Sequence, residues 1–447
     1  MPTVRRAPMA VVPRPHSRPR RQSRRRLAAW RVALGVLAAA ALLARGAPGA
    51  ADVQPGDVIT RDNAAGAASL LPPSVELMLK HGMKITVVPY EYCPSPKAYR
   101  EATEKYASQV KLSDAGRNIE NYVAGMPFPS LDPKDPLAAW KIMWNHEYKP
   151  AYSDDVYTSW LVENQDEHGV IEKQLSSDVW RRLRWVGRLY RDPKPEIPHN
   201  PPVRYTEQWG PLDSPFDLKG AGFLLYRYME AARADDSWLY LPTLRRVRRY
   251  STAARSDTLF GSDIDQDSIW GFNSKPEWWD FRLLAEKEIL VPMHAGKYAT
   301  RDIWCGEKGT ESWVPCVNWE KRRVWLIEGI PSRLAQYAFG KRQLWIDKEV
   351  YNVSASEMFD RAGELWKVWH NVFWYTTSTR SGRSYPEPRL FTPAVAVIDF
   401  QLMHSSRITP PSYLRPPEKY DWLFEKGEES QNTPDFYTIS FLIASGS

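Results

Sequence analysis

The chain has 447 residues and a formal net charge of +7. Eleven arginines in residues 1–50 supply that excess; beyond position 51 the chain carries 49 Lys+Arg against 53 Asp+Glu, a net of −4. A mildly acidic body argues against a nucleic-acid binder, and its 396 residues exceed one ordinary domain.

The basic block ends at Arg26 and leads into an apolar run, Val32–Ala44, of thirteen residues. A membrane-spanning helix needs about 20. Small residues follow at 46–51. This order reads as an export signal cleaved near Ala50 or Ala51, with an uncleaved anchor as the alternative. Ser23–Leu27 matches a twin-arginine pattern only loosely, which leaves the export route open. The exported compartment is disulfide-permissive. Cys305 and Cys316 flank a ten-residue segment and are expected to form a local disulfide, leaving Cys93 as a buried thiol. The expected organisation is a signal over 1–51, an N-terminal helical and extended segment over 52–135 packing on a sheet, and a curved antiparallel sheet over 136–447 with Pro-rich loops and tail.

In chain order, 52–75 reads as an extended lead-in and Lys84–Tyr90 as a short strand. Ser95 caps a predicted helix that starts at Pro96 and runs to about Lys111. Ala138–Trp144 opens a helix or a strand, and the Pro-rich stretch 191–215 reads as a long irregular loop. Leu224–Met229 and Trp238–Leu241, joined by a turn at Ala234–Asp236, form a predicted hairpin. A meander follows, with strands at Arg322–Gly329, Arg342–Ile346, Val350–Phe359 and Glu364–Tyr375. The last also shows a helical stripe (Leu365, Val368, Trp369, Val372, Phe373), but its β-branched and aromatic content favours a strand. Val395–Ser405 adds another, and 410–435 is a Pro-rich tail. The fold class is therefore α+β, mainly antiparallel β. Twenty tryptophans suit broad β surfaces and pockets with apolar bodies and polar tips.

Asp263, Asp265 and Asp267 alternate as at the start of a calcium loop, but Ser268 and Ser274 stand where such a loop needs Gly and Glu. Nearby lie Arg245, Arg246, Arg248 and Arg249. An ion-pair network linking these arginines to Asp257, Asp263, Asp265 and Asp267 is the first expectation. An anionic head-group site at a cavity mouth is the second, since the guanidinium fork binds phosphate or carboxylate bidentately. No G-x-S-x-G elbow and no metal-ligand histidine spacing occurs. No catalytic residue, cofactor or metal is assigned.

The segments Asn121–Pro129, Trp140–Tyr148, Asp236–Arg249, Ser256–Ser268 and Trp270–Trp278 together resemble a bacterial exported family catalogued as domain of unknown function 1329. Val324–Lys367, with Phe359–Leu365 inside it, resembles the closing meander of outer-membrane lipoprotein-sorting proteins of the LolA and LolB kind. The resemblance implies an incomplete, half-open β-barrel covered by a few helices, with a concave face that holds acyl chains. It also implies a periplasmic location, peripheral to the outer membrane, and a partnership with an inner-membrane transporter of the resistance-nodulation-division type or an outer-membrane component. The body is much longer than a simple carrier. The expected function is a non-enzymatic carrier of a lipid or lipoprotein acyl chain. Leu225, Trp238, Tyr240, Trp325, Ile327, Trp345, Trp366 and Trp374 are the cavity candidates. An exported hydrolase acting on glycans and a scaffold subunit of an envelope transport complex are the alternatives.

Overall fold

The computed structural model describes residues 52–446 apart from 152–153, 251–253, 298–299 and 335. The signal expected over 1–51 lies outside the described residues.

The strands are β1 (Val58–Ile59), β2 (Ile85–Val87), β3 (Lys111–Ser113), β4 (Asn118–Glu120), β5 (Asp155–Gln165), β6 (Ile171–Arg184), β7 (Val203–Trp209), β8 (Leu212–Ser214), β9 (Gly222–Tyr228), β10 (Asp236–Leu241), β11 (Arg246–Arg249), β12 (Asp280–Val291), β13 (Asn318–Ile330), β14 (Lys341–Asp347), β15 (Val353–Phe359), β16 (Leu365–Ser378), β17 (Ser384–Asp399), β18 (His404–Thr409) and β19 (Leu423–Phe424). The helices are α1 (Pro73–Lys80), α2 (Lys97–Tyr106), α3 (Ala138–Glu147), α4 (Pro417–Tyr420) and α5 (Ile439–Ser445).

All the strands except β3 and β4 join one mainly antiparallel sheet. It consists of two arcs. β12 to β18 form a meander in which each strand pairs with the next. β5, β6, β7, β9, β10 and β11 form the other arc in that spatial order. The arcs meet where β18 pairs with β5. Among the described residues β11 and β12 do not pair with each other, so the sheet is open.

Both faces of the meander are apolar. Val324, Leu326, Val368 and Ala396 point to one side, where the N-terminal residues Val53–Cys93 and the disulfide loop cover them. Trp325, Ile327, Trp369 and Val397 point to the other, covered by α3 and by Ile264–Trp279. A strand buried on both faces need not alternate apolar with polar residues. This explains the helix-like stripe in β16, which is a strand as expected.

The hairpin of β9 and β10 forms with Asp236 opposite Tyr226. Other expectations are corrected. The supposed loop 191–215 contains β7 and β8. The strand expected over Val395–Ser405 is split by a turn between β17 and β18, with Met403 in a left-handed conformation. The lead-in 52–75 carries a short 3-10 helix, Ala64–Leu70. At α2, Pro96 rather than Ser95 is the N-cap and no side chain caps from within. Instead the Lys97 amide donates to both carboxylate oxygens of Glu387, each at 3.0 Å.

Candidate functional site

On the α3 side of the N-terminal arc the sheet leaves a narrow apolar hollow with about 30 Å³ of free space. β5 supplies Trp160 and Val162, two positions apart and so on one face. Val162 stands opposite Leu175 of β6. Trp209 of β7 stands opposite Phe223 of β9, and Leu212 of β8 completes the wall. The roof is a tight loop carrying Leu259, Phe260, Ser262 and Ile264. A tighter gap of about 10 Å³ shares Trp160 and Trp209 and adds Trp180, Trp270, Trp369 and Ile408. The tryptophans meet edge to face, with centroids 5.7 Å apart for Trp160 and Trp209 and 5.0 Å for Trp180 and Trp270.

The indoles are oriented by polar groups behind them. Trp180 and Trp209 both donate to Glu207 Oε1, at 2.8 and 2.6 Å. The other oxygen of Glu207 accepts from Arg182 at 3.0 and 2.5 Å. The hollow thus faces inward with ring surfaces and keeps its charge behind the wall.

The roof is held by its backbone and by one carboxylate. Phe260 and Gly261 both take left-handed conformations, which turn the chain sharply. Lys173 Nζ donates to the Phe260 carbonyl at 2.8 Å and Asn164 Nδ2 to the Gly261 carbonyl at 3.1 Å. Asp263 accepts from Ser406 at 2.8 Å and contacts His404 Nδ1 at 2.7 Å. That carboxylate raises the His404 pKa above the ordinary imidazole value, against a smaller opposing effect of burial.

The alternating aspartates do not meet the arginines of β11. Asp263 pairs with His404, Asp265 with Arg342 at 3.4 Å, and Asp267 with Arg255 at 2.5 Å. Arg255 also reaches Asp235, which Arg227 pairs at 2.7 Å. Burial alone would raise the Asp235 carboxyl; Arg227 and Arg255 overcome that and hold it below the usual range. Arg249 pairs with Asp236 instead, while Arg245, Arg246, Arg248 and Asp257 are exposed. Asp265, Asp267 and Asp235 therefore join Arg342, Arg255 and Arg227 in buried ion pairs. Composition gives no hint of them, because charged residues ordinarily mark surface.

The eight cavity candidates are dispersed. Trp325 and Ile327 lie in the layer under α3, with the half-buried Trp366 against it. Trp345 faces the opposite side and donates to Glu357 at 3.0 Å. Tyr240 packs with Leu224 and Leu442, beside Trp238. Leu225 packs with Tyr205 and Phe223. Trp374 is half-buried at a bridge to His294. None of them lines the hollow. Its own residues come from β5 to β9 and the roof loop, and charged neighbours in β5 to β8 hide the alternation that marks a strand.

Cys305 and Cys316 are joined as a disulfide. The remaining thiol, Cys93, lies 3.9 Å from His294 Nε2, and His294 Nδ1 lies 2.7 Å from Glu320. The trio has the order of nucleophile, base and orienter. Yet Cys93 is 1% exposed, and burial pushes its thiol pKa up, which keeps it protonated. No described helix is long and apolar enough to cross a membrane.

An uncharacterised protein of Pseudomonas aeruginosa is 23% identical over 329 residues, covering 71% of this chain and 69% of the relative. A solved domain described as outer-membrane lipoprotein-sorting, from Vibrio parahaemolyticus, is 17% identical with a TM-score of 0.45, over 68% of this chain and 97% of that one. A DUF1329 family protein from Desulfovibrio piger is 14% identical with a TM-score of 0.43, over 65% and 92%. A LolA superfamily protein from Nitrosomonas europaea is 10% identical with a TM-score of 0.37, over 67% and 98%. The profile of the family "Protein of unknown function (DUF1329)" matches residues 58–438, nearly the whole described chain, and the protein belongs to that family.

Proposed function

We propose that the protein is a non-enzymatic periplasmic carrier that takes up an acyl chain of a lipid or lipoprotein in the tryptophan-walled hollow. The observation that carries this reading is the hollow itself. It holds only about 30 Å³ of free space, so a chain enters by parting a wall that Trp160, Val162, Leu175, Trp209, Leu212 and Phe223 line with carbon. Burying a chain contributes about 0.8 kcal/mol per methylene, which offsets the cost of parting the wall. In this reading the open sheet with α3 laid over it is a half-open barrel. The disulfide and the basic, then apolar, N-terminus support an exported location. A membrane transporter is the expected donor or acceptor of the lipid. The test is native mass spectrometry of the purified protein followed by solvent extraction. Co-purified lipid, or a rise in melting temperature on adding a long-chain fatty acid, is the expected result. An empty protein with no such rise overturns the reading.

A further inference from the structure

A second feature lies at the far edge of the N-terminal arc. Phe216 is 93% exposed and Leu244 is 48% exposed. They belong to two short turns, Phe216–Leu218 and Pro242–Leu244, that pack side by side. Ile443 of α5, 39% exposed, lies one turn before Gly446, whose backbone abuts Gly220 beside Pro242. A large ring almost wholly in water has no packing role in the fold, and here apolar neighbours flank it.

The charge beside this tip runs against that of the body. Arg245 follows Leu244 directly, in a left-handed conformation that swings the chain into the edge strand. Arg246 and Arg248 then stand opposite Leu241 and Leu239. All three arginines are exposed, and among the described residues no carboxylate forms an ion pair with them. Three unpaired guanidiniums beside an exposed phenylalanine match an anionic interface, where rings enter the acyl boundary and guanidiniums bind phosphate. The tip also adjoins the hollow: Leu212 of the wall lies four residues before Phe216, and Leu218 packs against the layer that surrounds it.

We propose that the tip formed by Phe216 and Leu244, with Arg245, Arg246 and Arg248, docks the protein onto an anionic phospholipid surface. The proposal deepens the carrier reading by naming the surface from which the ligand is exchanged, but the docking itself does not depend on the hollow.

The test is flotation of the purified protein with vesicles of phosphatidylcholine, with and without phosphatidylglycerol. Binding is expected only with phosphatidylglycerol, and should weaken as salt rises from about 0.1 to about 0.5 M. The combined variant Arg245→Gln, Arg246→Gln, Arg248→Gln should partition about 100-fold less, at about fivefold per basic residue. Phe216→Ser with Leu244→Ser should also lose binding while the salt dependence of the residue remains. These side chains are exposed, so an unchanged melting temperature verifies that the variants fold. Flotation that ignores phosphatidylglycerol, or survives both sets of substitutions, overturns the proposal. So does a protein complex formed through these residues by a chain that never floats. Lost flotation with co-purified lipid retained overturns docking alone; kept flotation with an empty hollow overturns the carrier reading alone.

Discussion

Glu207 is a buried carboxylate whose partners all serve the hollow. Two indoles share one of its oxygens and Arg182 neutralises the other. Glu207→Ala removes the acceptor of Trp180 and Trp209 and leaves Arg182 buried without its charge partner. Breaking a buried pair from one side costs about 3–5 kcal/mol, to be read from urea unfolding, and co-purified lipid should fall with it. His404 behaves differently. Its folded-state pKa lies above the ordinary value, so the folded protein holds the proton more tightly than the unfolded chain. The stabilisation is complete at pH below the unfolded pKa and fades as pH rises through the folded one. His404→Ala should therefore lower the melting temperature more at about pH 5.5 than at about pH 8.5; an equal loss at both contradicts the protonated Asp263 pair. Neither residue stood out in the sequence. A lone Glu between Thr206 and Gln208, or a His two positions before a Ser, has no signature until the sheet brings its partners across.

The loop over the hollow and the disulfide loop are the elements most open to test. Phe260 forms roof and holds a left-handed conformation, which asparagine tolerates well. Phe260→Asn should cut the lipid recovered on extraction several-fold while shifting the melting temperature little, because Phe260 is only half-buried. The Cys305–Cys316 loop reaches across to the other arc. Its Gly309 amide donates to the His168 carbonyl at 2.8 Å, and Ser312 accepts from Gln165 at 3.0 Å. Closing a loop of this length stabilises by about 3 kcal/mol. Cys305→Ser with Cys316→Ser should lower the unfolding free energy by about that amount, and reductant should mimic the variant. The disulfide was legible from spacing and the β9–β10 hairpin from alternation with a turn. β7 was not, because Arg204, Glu207 and Gln208 are buried in partnerships rather than set toward water. The cavity candidates were chosen as large apolar and aromatic strand residues, and that property does not say which face of a doubly covered sheet is hollow.

At the scale of the molecule, β13 to β16 of the meander were readable because consecutive strands pair with consecutive strands, whereas β12 and the first half of β17 were not. The N-terminal arc was mostly unread, and its junction with the meander entirely so, since no local pattern announces that Ser405 lies opposite Gln165. That junction governs when the fold can exist. β5 is made early and the five residues of β18 that bind it come some 240 positions later. Until His404–Thr409 arrive, β5 and β17 each present a raw edge, and neither arc can shield its core. Such long-range pairing is slow to form, so the sheet stays incomplete until residues 404–409 are available to pair. A version ending at Asp399 should stay unfolded and protease-sensitive at any rate of synthesis, although it keeps every residue of the hollow.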